Sequence, residues 1–136
     1  MVSSAEVIAC ARSWVGVPFR HQGRTRDGVD CIGLVVAVAR ELQLLDPGVD
    51  RTDYGRLPMS GELERAIAQH CTRVAAAEPG ALLVVRWNRE PTHVALCAGE
   101  TMIHALGSLG RVVEHGLRGK WPERVSATYR LPGVSP

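Results

Sequence analysis

The first half of the chain carries apolar residues at helical spacing, and the second half carries them in short strand-like runs. Ser3-Ser4-Ala5-Glu6 has the spacing of a capping box, and Val7, Ala11, Trp14 and Val15 follow at helical intervals. This predicts a first helix over about residues 4–15, stopped by Gly16 and Pro18. Pro18 to Gly28 is basic and glycine-rich without an apolar period, so it reads as an irregular loop leading to Asp30 and Cys31. From Cys31 to about Leu42 the residues are apolar nearly all round, the pattern of a helix buried at the centre of a domain.

Asp46-Pro47-Gly48 predicts a turn, and the polar run through Asp53, Tyr54 and Gly55 to Pro58 predicts a surface segment. Ser60 is placed to cap a third helix with Leu63, Ala66, Ile67 and His70 along one side, before Glu78-Pro79-Gly80 breaks the chain. Then the period changes. Residues 81–87, 92–98, 101–105, 111–114 and 126–131 are rich in Val, Leu and Ile and are separated by turn residues at hairpin distances. Helices first and an antiparallel sheet second predict an α+β fold.

With 136 residues, 46% of them apolar, the chain suits a single domain over residues 1–136 with one core. The net charge of +2 comes from interspersed acids and bases, which argues against a nucleic-acid binder. The apolar stretch Val7-Ile8-Ala9-Cys10-Ala11 is cut short by Arg12, too soon for a signal peptide or a membrane span. The expectation is a chain made in the cytoplasm, with no membrane partner.

Of the four cysteines, none forms a Cys-x-x-Cys pair, and Cys10, Cys71 and Cys97 read as small core residues. His93 and Cys97 would share a face only on a helix, and the strand-like Val-Ala-Leu-Cys opposes that, so neither a metal nor another cofactor is expected. Cys31 differs. It stands at the N-terminus of the buried helix, where unpaired N–H groups and the helix dipole favour a thiolate. Asp30 precedes it, and Gly33 two residues later leaves room for another element or a substrate to come close. Thr92-His93-Val94 and Ile103-His104-Ala105 put histidines on neighbouring strands, where period-two alternation can bring both imidazoles to one face. A nucleophile, a base and an orienting group make acyl transfer through a thioester the indicated chemistry, with Cys31 alkylating readily even below pH 7. His21, His70 and His115 have no such company and read as structural.

At Trp14-Val15-Gly16-Val17-Pro18-Phe19-Arg20, Gly28-Val29-Asp30-Cys31-Ile32-Gly33-Leu34, Glu78-Pro79-Gly80-Ala81-Leu82, His93-Val94-Ala95-Leu96 and Met102-Ile103-His104-Ala105 the sequence resembles the NlpC/P60 cell-wall peptidases. The resemblance implies a papain-like fold, with N-terminal helices and a central catalytic helix packed on an antiparallel sheet. It implies Cys31 as nucleophile, His93 as base, His104 as third member, and the D-glutamyl–diamino acid bond of the peptidoglycan stem as substrate. Asp30, Phe19 and His21 are the candidate substrate-binding positions. Phe19 stands where many members have a tyrosine, and His21 is the nearest alternative donor. Ile32 replaces the common serine and Ala81 a common aspartate. Ile32 and the Arg20-His21-Gln22-Gly23-Arg24 run are similar to the branch found with phage-tail genes, which implies tail or tail-tip partners and action in the periplasm or wall from a phage-like or gene-transfer particle. Two other readings stand beside this one: an amidase or acyltransferase on the same fold, and a structural tail-tip component whose site is a relic.

Overall fold

The computed structural model describes residues 1–46, 48, 50, 61–87 and 89–136. The Ser3 hydroxyl accepts from the Glu6 N–H at 3.1 Å and the Glu6 carboxylate accepts from the Ser3 N–H at 3.3 Å, so the capping box starts helix α1, Ser4–Arg12. The helix ends earlier than its apolar pattern. Beyond Arg12 the chain tightens into turns, with the N–H groups of Trp14 and Val15 bonded to the carbonyls of Ala11 and Arg12, and Trp14 stays buried without being helical.

The loop expected between Pro18 and Gly28 contains a small hairpin, β1 (Arg24–Thr25) and β2 (Gly28–Val29), that runs directly into α2, Cys31–Glu41. Helix α3 is Glu62–Ala68, with Gly61 at its N-cap position; Ser60, Pro47 and the polar run through Asp53, Tyr54, Gly55 and Pro58 lie outside the described residues. Strand β3 (Thr72–Val74) follows, then β4 (Leu82–Trp87), β5 (Glu90–Cys97), β6 (Thr101–Leu106) and β7 (Arg111–Gly116). A short helix α4 (Trp121–Arg124) precedes β8 (Val125–Arg130). The sheet has six strands in the order β3-β8-β4-β5-β6-β7, every neighbouring pair antiparallel.

Helices first and sheet second is the α+β arrangement that the change of period predicts. One face of the sheet carries Leu82, Val84, Val94, Leu96, Ile103 and Ala105 against Leu34, Ala37 and Val38 of α2 and Val7 and Ala11 of α1. The other face carries a smaller cluster, Leu83, Val85, Ala95, Cys97 and Met102, covered by Leu117, Trp121 and Val125. Alternation along β4 and β5 thus buries both faces, which is why these strands read as continuous apolar runs. Among the described residues no helix is long and apolar enough to cross a membrane.

The start of α2 is fitted closely to the hairpin. A Cβ on Gly33 would overlap the Gly23 carbonyl oxygen, and one on Gly23 would overlap the Gly28 carbonyl oxygen, so backbone meets backbone at both places. Neither neighbour can swing away as a side chain would. Gly33→Ala should therefore destabilise the protein by about 1–3 kcal/mol or more in urea unfolding; a loss below about 0.5 kcal/mol would show that the hairpin yields.

Candidate active site

The site is built outward from Asp30, the N-cap of α2. Its Oδ1 accepts from the Gly33 N–H at 2.7 Å and from Arg24 Nη1 at 3.3 Å, and its Oδ2 accepts from the Gln22 N–H at 2.8 Å. Arg24 in turn grips both oxygens of Asp50, at 2.8 Å through Nε and 3.1 Å through Nη2. Asp30 is 4% exposed and both its oxygens are occupied, so the side chain serves the helix start and the hairpin. His21 stands beside the same carboxylate, with Nδ1 4.0 Å from Oδ2. Phe19 lies half-buried against the main core and next to Gly107, and its backbone bridges to Val29.

Strands β5 and β6 pair only at Leu96↔Ile103 and Cys97↔Met102. Toward His93 the two strands are no longer paired, and there the backbone N–H groups of Val94, Ile32 and Cys31 lie close enough to the Cys31 sulfur to favour its charged form. Cys31 thus reaches β5 one residue from His93. The cross-strand pair Val85↔His93 puts the histidine on the sheet face away from α2, the face that carries Val85. His104 shares that face with Met102, and the two imidazoles meet at 2.7 Å, His93 Nε2 to His104 Nδ1.

The array goes one residue further than the sequence suggested. His104 Nε2 lies 2.8 Å from His115 Nε2, and His115 Nδ1 lies 3.0 Å from the Gly116 carbonyl oxygen. His115 was expected to stand alone and does not. The β6–β7 register pairs Met102 with His115 and His104 with Val113, which makes His104 and His115 diagonal neighbours on one face. That relation was available from the sequence once the turn between residues 106 and 111 fixed the register. Trp121 closes the array, its ring edge-on to His104 at 5.3 Å and tilted against His115 at 4.9 Å, while Trp87 flanks His93 at 5.8 Å.

Burial sets the protonation states. It pushes the Cys31 thiol up to about 11; the Val94 N–H pulls the other way, and the Asp30 carboxylate adds to the rise. Burial lowers His93 to about 4, and burial together with the flanking imidazoles lowers His104 to about 3. Against the expectation of a depressed Cys31 pKa, loss of hydration outweighs the helix terminus and favours a neutral thiol at rest. The other thiols are raised too, Cys10 to about 12 and Cys71 to about 11, and all four cysteines are free.

Two outcomes follow from these states. In the resting protein Cys31 should react with iodoacetamide only well above neutrality, and His93→Ala should leave that midpoint in place. A midpoint below pH 7 that rises in His93→Ala would reveal a thiolate–imidazolium pair and overturn the assignment. The second outcome concerns stability. An unfolded chain protonates its histidines near about 6.5, whereas folded His93 and His104 do so near about 4 and about 3. Below about 6.5 the unfolded state holds protons that the folded state lacks, so stability falls with falling pH, by at most about 1.4 kcal/mol per pH unit for each histidine. Urea melts between pH 7 and pH 5 should show this loss with a shallower slope in His104→Gln; equal slopes would mean that His104 titrates normally when folded.

No curated protein sequence matches the chain. Among solved structures it is similar to the NlpC/P60 domain of the peptidoglycan hydrolase SagA, at 22% identity and a TM-score of 0.68 over 96% of this chain and 100% of that one. It is also similar to NlpC2 from Trichomonas vaginalis (17%, TM-score 0.70, 94% of this chain and 47% of that one). A third is the peptidoglycan hydrolase RipB from Mycobacterium tuberculosis (24%, TM-score 0.62, 95% and 64%). At these identities the structures establish a shared fold. The sequence profile of the NlpC/P60 family matches residues 16–130, the stretch that carries the hairpin, the Cys31 helix and every strand of the sheet, and the chain belongs to that family.

Proposed function

We propose that the protein is a cysteine endopeptidase that hydrolyses an amide bond in the peptidoglycan stem, with the D-glutamyl–diamino acid bond as its target. The observation that carries the reading is the His93–His104 pair, hydrogen-bonded at 2.7 Å, with His93 next in the chain to Val94, whose N–H favours the charged form of Cys31. Because thiol and imidazole are both neutral at rest, His93 acts as general base when the substrate carbonyl arrives. The sulfur bonds to that carbonyl carbon as His93 takes the thiol proton. Collapse breaks the C–N bond, and His93 returns the proton to the departing amine. Water then attacks the thioester, again deprotonated by His93, and releases the acid and the thiol. The Cys31 and Ile32 N–H groups at the start of α2 would serve as donors for the developing oxyanion.

The same reading gives the protein a place in the tail of a phage-like or gene-transfer particle, opening the wall during DNA delivery. Ile32 after the nucleophile and the Arg20–Arg24 run support it. A second reading has its own support. A cavity of about 370 Å³ between α2 and α3, lined by Val35, Leu63, Ile67, Val94 and Ile32, the residue that follows Cys31, would suit an apolar acyl group, the substrate of an amidase or acyltransferase.

Mass spectrometry of peptidoglycan digested by the wild type should show new D-glutamate carboxyl termini and free diamino-acid amino termini, absent with Cys31→Ala. His93→Ala should lose about 10²–10⁴-fold in rate. Identical fragments from Cys31→Ala would overturn the nucleophile, and turnover of fatty-acyl amides or esters without any wall cleavage would favour the second reading.

A further inference from the structure

A neutral imidazole donates from one nitrogen and accepts at the other, so a row of hydrogen-bonded imidazoles has a direction, and one fixed end sets it throughout. The fixed end here is the Gly116 carbonyl oxygen, which can only accept. His115 Nδ1, 3.0 Å from it, therefore carries the proton, and His115 Nε2 is left as an acceptor. His104 Nε2, 2.8 Å away, must then donate, which leaves His104 Nδ1 to accept from His93 Nε2 at 2.7 Å. The lone pair of His93 falls on Nδ1. Reversing any one of these bonds would put a proton on Nδ1 of His93 and remove the base.

We infer that His115 is a positioning residue for the peptidase reaction: anchored by the Gly116 carbonyl, it fixes the tautomer of His104 and through it that of His93, so that His93 Nδ1 is held as the proton acceptor. This rests on the reading of Cys31 and His93 given above. It extends the site to β7 and assigns work to a residue that touches neither the sulfur nor the substrate. His104 is fully buried, so without an acceptor on β7 its Nε2–H would be an orphaned donor, which is more costly than an orphaned acceptor. The pair would then shift toward His104 Nδ1–H donating to His93 Nε2, the unproductive direction.

Nitrogen-15 NMR of histidine-labelled protein reads the tautomers directly, without substrate. In the wild type His93 and His104 should be Nε2–H tautomers and His115 the Nδ1–H tautomer; finding His93 as Nδ1–H would overturn the inference whatever any variant does. His115→Phe should shift His93 toward Nδ1–H and lower kcat about 10–100-fold. His115→Gln, whose amide oxygen can accept at the position of Nε2, should restore both the tautomer and most of the rate. A folded His115→Phe with wild-type tautomers and rate would reduce His115 to packing. The correct tautomers with their shift in His115→Phe, but no wall cleavage by any preparation, would leave the inference standing and remove the peptidase reading.

Discussion

The Asp30 side chain is 6% exposed, and a charge taken out of water is stable only where hydrogen bonds replace its hydration. Here the Gly33 N–H, the Gln22 N–H and the Arg24 guanidinium do so, and they come from the first turn of α2, from the chain leading into β1 and from β1 itself. One buried group thereby ties the helix start to the hairpin. Arg24 extends the tie to Asp50, beyond the far end of α2 in the sequence. The position of Cys31 follows, since it is the next residue and its helix cannot shift without breaking several charge-assisted bonds at once. Gly33 and Gly23 let the two backbones close to the distance that these bonds require.

That enclosure sets two effects against each other at the sulfur. A helix N-terminus contributes at most about 2 kcal/mol to a favourably placed anion, whereas removing an anion from water costs several kcal/mol. Desolvation wins, and the Asp30 carboxylate that holds the helix in place works against the thiolate as well. Burial also lowers His93 and His104, which leaves both imidazoles neutral at neutral pH.

Much of this was legible in the sequence because it rests on periodicity. The capping box at Ser3 and Glu6, the all-apolar helix from Cys31 and the change to strand spacing after Gly80 each involve enough consecutive residues to leave a pattern. The elements that escaped, β1, β2, β3 and α4, are two to four residues long and are made by tertiary contact, so no period could announce them. The glycine after Cys31 was legible as room for a close approach, and the approach is that of the Gly23 carbonyl. A helix terminus is visible in a sequence, whereas the burial that raises the Cys31 thiol is not. His115 was missed for want of register: its relation to His104 depends on counting back across the β6–β7 turn.

The two-sided burial of the sheet explains how histidines can form such a row. On a sheet with one solvated face, residues alternating with Val94, Ile103 and Val112 would point into water, and their imidazoles would hydrogen-bond to solvent in no particular direction. Here the second face has its own apolar cluster under Leu117, Trp121 and Val125, with Trp121 brought over the imidazoles by a helix of only four residues. Around His104, which is fully buried, water is replaced by indole, and an indole ring face offers no strong competing acceptor for an imidazole N–H. His104 is left with the imidazoles on either side, and His115 with the Gly116 carbonyl. Helix α2, which begins at Cys31, and the aromatic cover over the imidazoles thus pack on opposite sides of the same sheet, near the place where β6 separates from β5.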